Sequence, residues 1–275
     1  MTIFRPGKIA RSEEDKSILP ELPYLETHLT DHCNLKCKGC GHLCPISPER
    51  YTDLEVFTKD VYRLAELFRN IRSFRLMGGE PLLHPSVTEF CIAARHVFPS
   101  VETDIRLVTN GILLPSMKEK FWEVCADNRV SIDLSLYPIN IDFDKIFKSA
   151  EGYKVTLQIR KRTEFIKFPR NLSGDTDPEK AFHVCRSLYN TPFLENGKIY
   201  PCCLPALSHL LQSRFGVEFS ICSGDYLNIH DNDLTGADII GFITNPVPFC
   251  RYCASSTPTS FNWGISKGKA EEWLD

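Results

Sequence analysis

The sequence predicts an α/β protein, a partial (β/α) barrel followed by a small cysteine-bearing C-terminal domain. Three observations carry this. Short apolar runs alternate with helical repeats of apolar residues over 24–160. That stretch is too short for a full eight-unit barrel of roughly 250 residues. Past residue 170 strands shorten, Gly and Pro become frequent, and half of the 12 Cys appear.

The elements follow in order. Residues 1–22 are polar, hold Pro6 and Pro20, and read as an arm. Tyr24–Leu29 reads as a strand running into Thr30-Asp31-His32-Cys33. Leu54, Phe57, Val61, Leu64, Phe68 and Ile71 recur at helical spacing behind a Thr52-x-x-Glu55 capping box. Ser73–Met77 is a second strand, ended by Gly78-Gly79. Ser86-x-x-Glu89 caps a second helix that turns Val87, Phe90, Ala94 and Val97 inward. Asp104–Val108 is a third strand, a third helix runs from about Pro115 to Ala126, and Val130–Leu136 and Lys154–Ile159 are strands four and five. The alternation implies parallel strands with helical crossovers. The turn-rich stretch from Asn171 reads as a linker, which divides the chain into an arm (1–22), a barrel (23–170) and a C-terminal domain (171–275).

Composition is that of a soluble globular chain, with 43% hydrophobic and 24% charged residues and a net charge of -3. Such a balance argues against nucleic-acid or membrane partners, which call for a basic excess. No signal peptide or membrane-length apolar run is present, so a cytoplasmic location is expected. In that setting clustered cysteines bind metal or do chemistry more often than they form disulfides.

Cys33-x3-Cys37-x2-Cys40 puts three thiols directly after the first strand, where sites gather in sheets of this kind. Three thiolates hold three irons of a four-iron cluster and leave the fourth open, whereas full protein ligation takes four. Gly78-Gly79-Glu80-Pro81 follows the next strand. Its glycines permit close approach to a ligand, and its carboxylate is placed to accept from an ammonium. With Cys44 included, a four-thiolate zinc site stays open on spacing alone, although zinc has no use for the Gly-Gly-Glu partner.

The Cys33/Cys37/Cys40 spacing, with Gly78-Gly79-Glu80 after the next strand, resembles the radical S-adenosylmethionine (SAM) enzymes. The resemblance implies the radical SAM type of partial barrel. It implies a [4Fe-4S] cluster whose open iron binds SAM, with Gly78, Gly79 and Glu80 lining the methionine amine. It further implies a 5'-deoxyadenosyl radical that abstracts hydrogen, and an external one-electron donor such as flavodoxin or ferredoxin. Asn110, Ser135 and Arg160 correspond by position to the family's ribose and carboxylate contacts. The family carries an aromatic before the third Cys, beside the adenine; this chain has Gly39, and His42 is the candidate substitute.

A second set follows. A Gly197 hairpin would bring Cys185 and Cys202 together, and Cys250-x2-Cys253 would close a four-thiolate site with no open iron. The arrangement resembles the Twitch module, the short form of the SPASM extension, and implies one auxiliary [4Fe-4S] cluster. Structural zinc is the alternative. Cys91 and Cys125 fall on apolar helix faces and read as core.

Arg160-Lys161-Arg162 with Lys167 and Arg170 is a solvated face or an anion receptor. Nothing in the sequence selects a base among His84, His183, His209 and His230. Phe261 and Trp263 either pack the small domain or line the pocket. The cysteine spacing is most similar to that of aminocyclitol-type radical dehydrogenases, which implies oxidation of a secondary alcohol in a small, carbohydrate-like substrate. Epimerisation with a thiol hydrogen donor is the alternative, with Cys222 first and Cys44 and Cys203 behind it. Peptide modification is a third, disfavoured by the short arm.

Overall fold

The computed structural model describes residues 18–186 and 191–274. Most of the expected arm lies outside them, and its last residues, Glu21–Leu22 (β1), already pair in parallel with Asn70–Ile71 (β3).

The central sheet has eight strands. β2 (Leu25–Thr30), β4 (Ser73–Gly78), β5 (Asp104–Thr109), β6 (Ser131–Leu136) and β7 (Leu157–Lys161) run parallel in that order. The crossovers are α1 (Leu54–Leu67), α2 (Val87–Val97), α3 (Glu119–Asp127) and α4 (Phe143–Gly152). Strand side chains alternate between two faces. Leu25, Leu29, Phe74, Leu76, Ile105, Leu107, Ile132 and Leu134 turn to one face and are fully buried in the main core. Each contributes about 1.5–3 kcal/mol by leaving water. Glu26, His28, Arg75 and Asp133 occupy the alternate positions and are buried too. The opposite face, the lumen of the partial barrel, is therefore polar.

Several local expectations shift. Helix α1 is capped by Asp53, whose Oδ1 accepts from Glu55 N at 2.8 Å and Val56 N at 3.0 Å. The Thr52 hydroxyl instead donates to the His28 carbonyl at 2.7 Å, so the expected capping box does not form. Ser86 precedes α2 without a side-chain cap. The third helix starts at Glu119, after a separate turn at Leu114–Ser116. The fifth strand starts at Leu157 because Lys154, at φ 59°, is still closing α4. Helix α4 itself, capped by Asp142, turns Phe143, Ile146 and Ala150 toward the core at helical spacing, an element the sequence reading did not single out.

The C-terminal region is joined to the barrel through the same sheet. β9 (Phe193–Glu195) lies parallel to β2, β10 (Lys198–Tyr200) returns antiparallel to β9, and β11 (Leu227–Asn228) follows β10. The β9–β10 turn is Asn196-Gly197, both at positive φ, the backbone that Asn-Gly favours. A second core forms around α6 (Cys203–Phe215), from Leu204, Leu207, Leu211, Phe249 and Trp273 together with Leu43 of the first cysteine loop. A separate hairpin pairs β8 (Glu164–Lys167) with β12 (Thr259–Asn262). Helices α5 (Pro178–Arg186) and α7 (Gly236–Ile243) complete the region. No helix among the described residues is long and apolar enough to cross a membrane.

Candidate active site

The C-terminal ends of β2, β4 and β5 are stitched into one layer. Gly79 N donates to Thr30 O at 2.7 Å, and Glu80 N donates to His32 O at 3.0 Å. This approach is why both glycines are needed. A Cβ at Gly78 would run into the Thr30 carbonyl, and one at Gly79 into the His32 carbonyl. The close contact thus serves the neighbouring strand end, not only a ligand.

Glu80 is fully buried. Its carboxylate accepts from the Thr109 hydroxyl at 2.7 Å, Asn110 N at 2.8 Å and Leu82 N at 3.1 Å. Burial pushes its pKa up to about 7, against the pull of these three donors. These three donors hold the carboxylate in the loop layer and occupy three of its roughly four acceptor sites.

Asn110 joins the two motifs. Its Nδ2 donates to Asn34 Oδ1 at 2.7 Å and lies 3.5 Å from Cys33 Sγ. Leu35 N donates to the same sulfur at 3.3 Å, and Trp263 Nε1 donates to Cys37 Sγ at 3.2 Å. N–H groups aimed at sulfur suit thiolates. Burial nevertheless pushes Cys33 and Cys37 up to about 12. They ionise at neutral pH only when a metal takes the proton's place. These donors and thiols fit an iron–sulfur cluster on Cys33, Cys37 and Cys40. Cys44 is buried behind Cys40, with its Sγ 3.6 Å from His42 O and 3.9 Å from Gly78 O. A hydrogen bond from Cys44 lowers the Cys40 thiol to about 7.

The lumen holds a charge network that sequence reading missed. Asp133, fully buried, accepts from Arg75 Nη2 at 2.8 Å and from Arg160 Nε at 3.0 Å. Arg106 donates to Gln158 at 2.8 Å and to Asp104 at 2.6 Å. Nearby, Arg50, Asp31, His28 and His42 form a hydrogen-bonded line, in which His28 Nδ1 meets Asp31 at 3.2 Å and His28 Nε2 meets His42 Nδ1 at 2.9 Å. His42 Nε2 lies 4.0 Å from Glu26, which accepts from the Tyr24 hydroxyl. Burial lowers His42 to about 4, so the ring is neutral near pH 7. The signal was present in the sequence as charged residues at every second place of otherwise apolar strands. Asp133→Asn would leave Arg75 and Arg160 without their counter-ion. A loss of about 3 kcal/mol is expected, read as a melting temperature lowered by about 6–12 °C.

Other candidates separate clearly. Ser135 sits on β6, buried and opposite Arg160 in register. Lys161 and Arg162 are exposed. His230 pairs with Asp60 at 2.6 Å, His84 meets Thr52 O at 3.1 Å, His209 meets Ala206 O at 3.0 Å, and His183 is exposed. None of these four joins the lumen network. Cys222 is exposed and its backbone N donates to Asp225 at 2.8 Å. Cys203 is half-buried with its Sγ 3.7 Å from Gly41 O, in the first cysteine loop. Cys91 and Cys125 are fully buried core residues.

The second thiol set also gathers. Cys185, Cys202, Cys250 and Cys253 line one cavity of about 50 Å³, walled by Phe182, Pro205, Val247 and Phe249. Burial raises Cys250 to about 11 and Cys202 well above the usual thiol range. Arg170 Nη1 donates to Cys253 Sγ at 3.2 Å. Among the described residues no three His, Cys, Asp or Glu converge on a single-ion site. The four thiols share the lining of that cavity.

Residues 27–161 match the model of the Radical SAM superfamily. The chain carries a radical SAM domain. GTP 3',8-cyclase of Microcystis aeruginosa is 35% identical over 137 residues, which is 46% of this chain and 38% of that protein. Molybdenum cofactor biosynthesis protein 1 of Mus musculus is 34% identical over 51% of this chain and 22% of its own length. The GTP 3',8-cyclase of Clostridium acetobutylicum is 26% identical over 85% of this chain and 76% of that protein. The chain thus spans well under half of the first two relatives' length. Among solved structures, BtrN in complex with AdoMet and 2-DOIA is 14% identical, with 84% of this chain and 92% of that chain covered and a TM-score of 0.49. The radical SAM family implies SAM and a SAM-binding [4Fe-4S] cluster. The clustered thiols of Cys33, Cys37 and Cys40, half-buried apart from the buried Cys37, are the residues that fit it.

Proposed function

We propose that this chain is a radical SAM oxidoreductase acting on a carbohydrate-like substrate, and that it oxidises a secondary alcohol to a ketone. The observation that carries the substrate class is the lumen: acids, arginines, an amide and imidazoles alternate across a face that apolar cores usually fill. Such a face offers donors and acceptors to a ligand with many hydroxyls. The groups held at the first cysteine loop supply a carbon-based radical from SAM when bound. The protein's part is to orient the carbinol hydrogen toward that loop and to exclude water. Gly78, Gly79, Glu80 and Asn110 would line SAM, with Ser135 and Arg160 contributing from the ends of the later strands.

The second thiol set supports oxidation over a redox-neutral outcome. Loss of one hydrogen atom and one proton from an alcohol leaves one electron to remove, and a closed four-thiolate cluster has the chemistry to accept it. The peptide-modifying reading gains nothing from a polar lumen. The epimerase reading gains nothing from Cys222, which is exposed; Cys203, beside the first loop, is the better-placed thiol.

The test is turnover of the reconstituted protein, anaerobically and in deuterated water, with SAM and a panel of aminocyclitols and sugars deuterated at the carbinol carbons. Deuterium in 5'-deoxyadenosine together with a ketone product is expected. Solvent deuterium in an unoxidised product would instead establish epimerisation. GTP consumption with an inert panel would assign the chain the reaction named for its relatives and overturn the proposal.

A further inference from the structure

The segment after Cys253 does more than close the second thiol set. Ala254 N donates to Pro169 O at 3.0 Å, β12 pairs along β8, and Trp263 N donates to Thr163 O at 2.8 Å. The chain then crosses to the first cysteine loop. Lys38 N donates to Gly264 O and Ser266 N donates to Lys36 O, both at 2.8 Å, with Cys37 opposite Ile265. Gly39, at φ 62°, carries no side chain where the Phe261 ring packs; a Cβ there would lie 2.6 Å from the ring. Trp273 Nε1 donates to Cys40 O at 2.9 Å. The loop is strapped from outside by the tail.

Trp263 is the strap residue that reaches sulfur. Its indole N–H, a donor with no acceptor capacity, points at Cys37 Sγ at 3.2 Å. Tyr137 holds the ring in place, 6.0 Å between centroids. Donation to a ligating thiolate disperses its charge, and the more negative, reduced cluster gains more from this than the oxidised one.

We propose that Trp263 is a positioning residue of the first centre, which raises the reduction potential of the cluster on Cys33, Cys37 and Cys40 through an N–H···S hydrogen bond to Cys37. The proposal rests on the reading of those three cysteines as cluster ligands. Because the strap begins directly after Cys250 and Cys253, the fold of the second centre sets where this donor stands.

Redox titration of the reconstituted protein, followed by electron paramagnetic resonance, tests this. The first cluster is recognised as the one whose spectrum changes on adding SAM. Trp263→Phe keeps the ring and removes the N–H; the midpoint of the SAM-responsive cluster is expected to move to more negative potential. Trp273→Phe removes an N–H that meets a carbonyl, and a clearly smaller shift is expected. An unchanged midpoint in Trp263→Phe overturns the inference and leaves the cluster reading intact. Absence of any SAM-responsive cluster in the unaltered protein overturns the cluster reading itself. Should Trp263→Phe fail to load iron, pulsed spectroscopy of unaltered protein labelled with ¹⁵N in its indoles decides: a ¹⁵N coupling to the reduced cluster is expected, and none overturns the inference.

Discussion

Replacing Cys33, Cys37 or Cys40 singly by Ala is expected to remove about four of about eight irons per chain and to abolish SAM cleavage, with the second cluster retained. The effect is large because the three sulfurs have no substitute. Cys44 is buried behind Cys40 and hydrogen-bonded to it. Iron content, visible absorption and 5'-deoxyadenosine yield measure the outcome together. The converse replacement of Cys185 or Cys250 should remove the other four irons, because these thiols line the separate cavity. An equal loss of both clusters from a replacement in the first set would mean that the two sets do not form independent centres.

Gly79→Ala is expected to be nearly as damaging, although it removes no chemical group. The new methyl would meet the His32 carbonyl, which is fixed by its bond from Glu80 N. Relief requires parting the ends of β2 and β4, and with them the Glu80–Asn110–Cys33 stitching. A cost of about 3 kcal/mol is expected, read as a melting temperature lowered by about 6–12 °C. Cluster loading should fall alongside. Gly152, with open space around its Cα, offers a matched control in which Ala is tolerated.

The parallel half of the fold was legible because its apolar periods were clean. Phe74, Leu76, Ile105 and Leu107 announce strands, and the thiol triplet stands where a strand ends. The Gly197 hairpin was legible from Asn-Gly chemistry. What stayed hidden was long-range. No local pattern says that β9 joins the barrel sheet beside β2, nor that Trp263 crosses 226 positions to reach Cys37. Glu80 was legible as a site residue, but its three internal donors depend on Thr109, Asn110 and Leu82 converging in space. Asp133 and Arg75 could have been singled out as charges amid strand hydrophobics. Their mutual pairing could not, since it rests on strand register across β4, β5 and β6.

The central claim is that Cys33, Cys37 and Cys40 hold an iron cluster with one iron open to SAM, beside a second, closed cluster. Anaerobic reconstitution followed by electron paramagnetic resonance of the reduced protein, with and without SAM, measures this most directly. About eight irons per chain are expected, with one of two cluster signals altered by SAM and the other unmoved. Stoichiometric zinc in place of iron, or two cluster signals both indifferent to SAM, would contradict it.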